Sequence, residues 1–224
     1  MAEQGIGSKL RQLVGRRDPD EENYPDAVNV TKPSKHTVKF VEGLDPRPRM
    51  IAEIGIYRGH TSAEFARLMP DDGELHLFDF HDTVDMVAAD LREQGFDRFR
   101  TFGNTKKVLD SYNWSLLQVL QEHTEPIYDY VFIDGAHTWQ HDGFAFLLVD
   151  KLLKPGGYVD FDDYHWTLGG SPTLKPEVFP RTGDWYTREQ IDAKQVELVV
   201  DLLVRRDPRY VEVVDNHIVQ KTRA

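Results

Sequence analysis

From Met50 onward the sequence alternates short apolar runs with longer amphipathic segments, and this alternation limits the fold more than any other feature. The apolar runs have strand length and lie at residues 50–56, 75–80, 98–102, 128–133 and 158–161. The segments between them have helical spacing and lie at residues 61–68, 84–93, 107–122 and 138–153. Strands that alternate with helices of this length predict βαβ units and a mostly parallel sheet with helices on both faces.

The end of the chain departs from this alternation. Residues 210–214 and 217–221 both read as strands, and only Asp215 and Asn216 separate them. Two turn-forming residues between two strands predict an antiparallel hairpin. The preceding segment, 187–204, predicts one helix with Thr187 as its N-cap.

The pattern divides the chain into a helical arm at residues 1–30 and one domain at residues 31–224. Ile6, Leu10, Leu13 and Val14 share one helical face of the arm. That face packs either on its own domain or on a second copy, so a homodimer is possible. Residues 164–186 fit no regular element and are rich in aromatic side chains. A loop of this length predicts a substrate lid, and a plain surface excursion is the alternative.

Charge and composition exclude several classes of protein. There are 27 Lys and Arg against 38 Asp and Glu, so the net charge of −11 disfavours binding to nucleic acid or to an anionic membrane surface. The chain has no Cys, which excludes disulfides and thiolate chemistry. No apolar run is long enough to span a bilayer, and the first residues lack a secretory pattern. We therefore expect a cytoplasmic protein without membrane insertion.

The helix at residues 138–153 provides a prediction about ordinary packing. Its apolar residues indicate that it packs through Phe144, Leu147 and two further leucines, Leu148 and Leu152. Asp150 would then lie on the solvated face of this helix.

A glycine-containing turn follows the first strand and opens the next helix. Gly55 and Gly59 permit a tight turn in which a ligand approaches the backbone, although any turn between a strand and a helix can carry glycines. Asp79 ends the second strand, 24 residues after Gly55, where an acid can bind the ribose hydroxyls of a nucleoside or can be a solvated loop residue. The spacing is not Gly-x-Gly-x-x-Gly, which disfavours a nicotinamide dehydrogenase.

Acidic residues follow the fourth and fifth strands. Asp134 comes after the fourth strand, and Asp162 and Asp163 come after the fifth. Because the carboxyl ends of parallel strands share one edge, these carboxylates would repel one another unless a cation or protons neutralised them. Oxygen ligands favour Mg²⁺, Mn²⁺ or Ca²⁺, and His137 could act as a base beside the metal. The alternative is a helix cap at Asp134 and a solvated acidic pair.

Two motifs resemble a known family. Residues 52–62, Ala-Glu-Ile-Gly-Ile-Tyr-Arg-Gly-His-Thr-Ser, resemble motif I of class I S-adenosylmethionine-dependent methyltransferases. Asp134-Gly-Ala-His137, followed by Lys154-Pro-Gly-Gly and Phe161-Asp-Asp-Tyr164, resembles the metal-dependent macrocin O-methyltransferase-like branch. The resemblance implies a Rossmann-like, seven-stranded, mostly parallel sheet. It also implies methyl transfer to a hydroxyl of a sugar, an oligosaccharide or a glycosylated metabolite. A narrower resemblance is to mycobacterial enzymes that methylate the reducing-end 1-hydroxyl of mannose oligosaccharides.

The resemblance also implies roles for individual residues. The implied cofactor-binding residues are Glu53, Gly55 and Gly59 at the amino-acid end, Asp79 at the ribose, and Phe80, Gly103 and Asn104 near the adenine. The implied Mg²⁺ or Mn²⁺ ligands are Asp134, Asp162 and Asp163, with His137 as the general base. Two alternatives stay open: a metal-independent or phenol-type small-molecule methyltransferase, and a non-catalytic protein that binds S-adenosylmethionine.

Overall fold

The computed structural model describes residues 32–223, which form one mixed sheet of seven strands in the order β3-β2-β1-β4-β5-β7-β6. The strands are β1 (Met50–Ile54), β2 (Glu74–Phe80), β3 (Phe99–Asn104), β4 (Tyr128–Ile133), β5 (Leu153–Phe161), β6 (Tyr210–Val214) and β7 (Ile218–Lys221). The predicted fold class is confirmed. The arm predicted at residues 1–30, and the dimer contact suggested for it, lie outside the described residues.

Parallel pairing brings four strand ends to one edge of the sheet. β1 pairs in parallel with both β2 and β4, and β4 pairs in parallel with β5. β7 runs antiparallel to β5 and to β6, so the predicted hairpin is present. Asn216 in its turn has a φ of 61°. The loops after β1, β2, β4 and β5 therefore emerge side by side.

Helices cover both faces of the sheet. They are α1 (Lys35–Gly43), α2 (His60–Leu68), α3 (His81–Glu93), α4 (Tyr112–Glu122), α5 (Trp139–Leu152), α6 (Arg181–Trp185), α7 (Arg188–Asp192) and α8 (Gln195–Val199), with a 3-10 turn at Leu168–Gly170 and a π-helical turn at Val200–Val204. One buried cluster joins α1, α2 and α3 to the sheet, and a second joins α4, α5 and α8 to the opposite face. Among residues 32–223, every helix is too short or too polar to cross a bilayer.

Two helices differ from their predicted extent for local reasons. α4 begins at Tyr112 instead of residue 107, because the Ser111 hydroxyl accepts a hydrogen bond from the Asn113 amide and caps the helix there. The helix predicted at 187–204 starts as expected, with Thr187 in a capping box, but it breaks after α7. The side chain of Gln195 accepts from the amide of Trp139 and donates to the backbone of Gln190, and these contacts replace helical continuity.

The prediction for α5 is wrong in part. Leu148 and Leu152 are buried, but the exposed fractions of Phe144 and Leu147 are 45% and 49%. Asp150 is buried instead of solvated, because Arg209, Tyr210 and Lys221 all reach it. The spacing of apolar residues correctly predicted a helix, but it did not predict which face of the helix packs against the sheet.

Candidate active site

The loops after β1 and β4 touch each other through their backbones. Gly55 has a φ of 84°, and a side-chain carbon placed on it would lie 2.0 Å from the carbonyl oxygen of Asp134. No other residue fits there, so this glycine is required by the close approach of two loops. Gly59 also has a positive φ, of 71°, and precedes the first residue of α2. The structure thus brings the predicted cofactor loop and the predicted metal loop into contact.

Asp79 binds the glycine-containing loop directly. Its Oδ2 accepts hydrogen bonds from the amides of Ile56 and Tyr57 at 2.8 and 3.0 Å, and its Oδ1 accepts from Phe80 at 2.6 Å. Burial nevertheless raises the pKa of Asp79 above its ordinary value. Two of the loop amides that could bind a ligand are therefore engaged by this carboxylate.

Glu53 lies beneath the same loop and is fully buried. The hydroxyl of Ser62, in the first turn of α2, donates to its carboxyl group at 2.6 Å. Burial raises the pKa of Glu53 to about 8, against the opposing effect of the Ser62 hydrogen bond. This carboxyl group is therefore protonated at neutral pH.

The three residues predicted near an adenine lie beside Asp79 in the sheet. Gly103 is the register partner of Asp79, and Asn104 is the register partner of Phe80. Asn104 is buried, and its side-chain amide donates to the carbonyl oxygens of Thr105 and Asp110. These positions border the carboxyl end of β2, but the donor atoms of Asn104 are engaged within its own loop.

The acidic residues and His137 converge on one point. Nε2 of His137 lies 3.3 Å from Oδ2 of Asp163 and 3.8 Å from Oδ1 of Asp134. One potential ligand atom from each of these three residues lies within 4.8 Å of the others. Asp162 lies outside this set of three, but its carboxyl group interacts with that of Asp134 and helps to raise the pKa of Asp134. The structure therefore assembles the residues that the sequence grouped, with His137 among them.

The surroundings of this acidic cluster disfavour the charged forms of Asp134 and Asp163. Burial, and then repulsion by Asp162 and Asp163, hold the pKa of Asp134 well above its ordinary value. Burial also raises the pKa of Asp163, although His137 opposes the shift. Nδ1 of His137 is buried and has no hydrogen-bond partner among the described residues. A cation or shared protons would relieve the repulsion.

Backbone strain is concentrated at the same place. His137 and Asp163, which face each other, have φ values of 54° and 55°. For residues with a side chain this left-handed conformation is uncommon, and it is found mainly where surrounding structure enforces it, often in active sites.

The 164–186 segment contacts the His137 loop at both of its ends. The rings of Trp166 and His137 lie 5.3 Å apart, and the hydroxyl of Tyr186 hydrogen-bonds to Thr138. The segment contains the 3-10 turn and α6, so the expectation that it has no regular structure is wrong. A cavity of about 370 Å³ adjoins the start of the segment. Its lining comes from the loop after β5 and the hairpin turn: Asp162, Asp163, Tyr164, His165, Trp166, Asp215, Asn216 and His217.

Sequence reasoning missed several residues of this site. Trp166 and Tyr186 were included only as part of a lid, and Tyr112, whose hydroxyl accepts from the amide of Ala136, was not identified at all. A cluster of aromatic residues was the only signal for the first two. Nothing in the spacing could identify Tyr112, because it lies 24 residues before the loop that it supports.

A family model and two curated relatives all identify similarity to methyltransferases. Residues 52–164, half of the chain, match the methyltransferase-domain family. A probable caffeoyl-CoA O-methyltransferase 3 of Dictyostelium discoideum is 27% identical over 129 residues, covering 56% of this chain and 49% of that protein. A tRNA (guanine-N(7)-)-methyltransferase of Ralstonia pickettii is 26% identical over 201 residues, covering 78% of this chain and 74% of that protein.

Solved structures share the fold. The O-methyltransferase from Bacillus cereus in complex with SAH superposes with a TM-score of 0.56 at 18% identity, covering 96% of this chain and 97% of that chain. The chain spans about half the length of the first curated relative. The names of the two curated relatives give different methyl acceptors, so the relatives agree on methyl transfer and not on the substrate.

Proposed function

The chain belongs to the methyltransferase-domain family, and from that premise we propose that it is an S-adenosylmethionine-dependent, Mg²⁺-dependent O-methyltransferase acting on a small molecule or an oligosaccharide. The observation that supports this proposal best is the convergence of Asp134, His137 and Asp163. This cluster lies directly against the Gly55 loop, so a methyl donor and an activated hydroxyl would meet at one edge of the sheet.

The methyl donor would bind along the carboxyl ends of β1, β2 and β3. When bound, S-adenosylmethionine supplies a methyl group already activated by its sulfonium. Glu53, Gly55 and Gly59 would line its amino-acid end, while Asp79 would turn from the loop amides toward the ribose hydroxyls. The adenine would lie against the residues that follow β2 and β3, which are Phe80, Gly103 and Asn104.

The acidic cluster fits a hard divalent cation. Asp134, Asp162 and Asp163 would hold Mg²⁺ or Mn²⁺, since carboxylate oxygens are the ligands that these ions prefer. When bound, the cation lowers the pKa of an acceptor hydroxyl. Burial, together with repulsion by Asp162 and Asp163, raises the pKa of Asp134 in the free protein, and a bound cation would favour the charged carboxylate instead.

His137 would take the acceptor proton at Nε2. This atom faces Asp163 at 3.3 Å, and the carboxylate would stabilise the imidazolium that forms. Trp166 covers one side of the imidazole ring and would exclude water there. The strained backbone of His137 would fix the direction of Nε2 before the acceptor binds.

The acceptor would occupy the cavity between the loop after β5 and the hairpin turn, with residues 164–186 as its cover. The Trp166 ring and the surrounding carboxylate, amide and imidazole groups suit a hydroxyl of a sugar, an oligosaccharide or a glycosylated metabolite. The reducing-end 1-hydroxyl of a mannose oligosaccharide is the narrowest acceptor that we propose. A cytoplasmic location fits the use of S-adenosylmethionine.

Calorimetric titration of S-adenosylmethionine and S-adenosylhomocysteine, with and without Mg²⁺, tests the proposal first. We expect saturable binding of both ligands, and methyl transfer to a saccharide that stops in EDTA and returns with Mg²⁺. Full activity in EDTA would favour a metal-independent enzyme. Binding without turnover on any hydroxyl tested would favour a non-catalytic protein, and no binding of either ligand would overturn the proposal.

A matched pair of variants makes the titration specific to the proposed site. Asp79→Asn should weaken S-adenosylhomocysteine binding by about 10-fold, because it removes a charged acceptor of the ribose hydroxyls. Asp82→Asn is the control. Asp82 lies three residues after Asp79, is exposed, and forms an ion pair with Lys106. Equal losses in the two variants would mean that the effect comes from net charge.

A further inference from the structure

A buried tyrosine supports the loop that carries Asp134 and His137. The hydroxyl of Tyr112, at the first residue of α4, accepts from the amide of Ala136 at 3.2 Å. The same hydroxyl donates to Oδ1 of Asp142 at 2.6 Å. Asp142 lies in the first turn of α5, is 1% exposed, and also interacts with the Ala136 amide. Two helices thus hold one peptide of the loop.

The contact leaves no space for a side chain at Gly135. A side-chain carbon placed on Gly135 would lie 2.7 Å from the hydroxyl oxygen of Tyr112. On the opposite side, the carbonyl oxygen of Asp134 lies against Gly55. The loop is therefore clamped between the cofactor loop and the Tyr112 hydroxyl, and neither side can move toward the other without a clash.

We propose that Tyr112 and Asp142 are positioning residues that hold the 134–137 loop in its strained conformation, so that the Asp134 carboxylate is placed for the cation and His137 faces Asp163. This inference rests on the proposed metal-dependent function. Tyr112 acts through the amide of Ala136. Asp142 acts through the same amide and also interacts electrostatically with His137 and Asp163. The strain at His137 requires such support, because a residue with a φ of 54° keeps that conformation only where its surroundings enforce it.

The donor subsite should be independent of this support. The amide of Gly55 donates to the carbonyl oxygen of Phe78 at 2.8 Å, and Asp79 holds the next two amides of the loop. Loss of the Tyr112 hydroxyl leaves all of these contacts in place. Loss of the Tyr112 hydroxyl should therefore lower metal affinity and leave cofactor affinity unchanged. A general loss of stability would lower both affinities.

Tyr112→Phe is the decisive variant, because it keeps the ring and removes only the hydroxyl. Tyr128→Phe is the matched control: Tyr128 is also buried, and its hydroxyl forms one hydrogen bond with Nδ1 of His76 at 2.8 Å, within the sheet. The measurements are Mn²⁺ affinity by electron paramagnetic resonance, S-adenosylhomocysteine affinity by calorimetry, and hydrogen exchange of the Ala136 amide by nuclear magnetic resonance.

We expect Tyr112→Phe to weaken Mn²⁺ binding about 10-fold, as loss of a residue that orients metal ligands commonly does. It should speed exchange of the Ala136 amide about 10-fold and leave S-adenosylhomocysteine affinity within about threefold. Tyr128→Phe should change none of the three, although both variants lower the Tm by roughly 2–4 °C.

Asp142→Asn separates hydrogen bonding from charge. The asparagine oxygen still accepts from Tyr112, so we expect Mn²⁺ affinity to stay closer to wild type than in Tyr112→Phe. Three outcomes would overturn the positioning role but leave the proposed metal site standing. They are a wild-type Mn²⁺ affinity in Tyr112→Phe, an equal loss of Mn²⁺ affinity in Tyr128→Phe, and a parallel loss of S-adenosylhomocysteine affinity in Tyr112→Phe. No Mn²⁺ binding to the wild-type protein would instead overturn the proposed metal site, and the inference with it.

Discussion

Two acids at opposite edges of the sheet, the buried Asp150 and the half-buried Asp134, have opposite surroundings. Asp150, at the end of α5, accepts hydrogen bonds from Arg209 and Tyr210 and pairs with Lys221. Burial acts to raise its pKa, but these partners hold the pKa of Asp150 at about 2. Asp134, at the end of β4, faces two further acids and has a pKa well above its ordinary value.

The difference separates an acid that the fold neutralises from one for which we propose a function. The charge of Asp150 is compensated by cations of the chain itself, so it needs no ligand. The charge of Asp134 is compensated by nothing stronger than His137 among residues 32–223. An acidic cluster that its own fold leaves uncompensated is a place where an external cation can contribute binding energy.

Asp134→Asn should produce the largest effect and separates the two acids most clearly. We expect methyl transfer to fall at least ~10³-fold, about 4 kcal/mol in activation free energy, because a charged ligand is lost. Stability without metal should not fall, since a neutral amide removes the repulsion from Asp162 and Asp163. Kinetics and chemical denaturation in EDTA measure both quantities. A less stable variant would show that Asp134 is a structural residue like Asp150.

His137→Ala should lower kcat by about 10²- to 10³-fold while S-adenosylhomocysteine affinity is retained, because the base acts on the acceptor and not on the donor. His137→Gln keeps part of the contact with Trp166 and serves as the packing control. Comparable kcat values for the two variants would assign the loss to proton transfer. Unchanged turnover in either would reject His137 as the base.

Asp150→Asn should act on stability and not on catalysis. Lys221 would lose its buried counter-charge, and we expect the free energy of unfolding at pH 7 to fall by about 3 kcal/mol. Because the folded-state pKa of Asp150 is depressed to about 2, its contribution is present above pH ~4 and is lost as the pH falls toward 2. Urea denaturation from pH 2 to 7 measures the pH dependence of the free energy of unfolding. We also expect the kcat of the variant to stay within about twofold of wild type.

Glu53→Gln should change the pH dependence of the free energy of unfolding. The folded-state pKa of Glu53, about 8, exceeds its unfolded value, so its contribution to stability is full at low pH and is lost as the pH rises to about 8. Glutamine keeps an acceptor for Ser62 and does not ionise. We expect the variant to be more stable than wild type at pH 9 by roughly 3–5 kcal/mol, and equally stable at pH 4. Equal stability at both pH values would mean that Glu53 is not buried as described.

The sequence predicted more of the fold than of the site. Alternating apolar runs identified all seven strands, because strand burial depends on local hydrophobicity. The break after α7 could not be predicted, since it comes from contacts of Gln195 with distant backbone. The burial of Asp150 could not be predicted either, because its partners Arg209, Tyr210 and Lys221 follow 59 or more residues later in the chain.

The sequence by itself determined which residues stand at strand ends: Gly55, Asp79, Asp134 and the pair Asp162 and Asp163. That follows from short-range pattern, since a parallel strand ends where its apolar run ends. Only the tertiary structure decided that Asp79 binds the glycine loop, that the strained His137 faces Asp163, and that Tyr112 supports the loop between them. These contacts join residues distant in the chain, and packing in three dimensions fixes them.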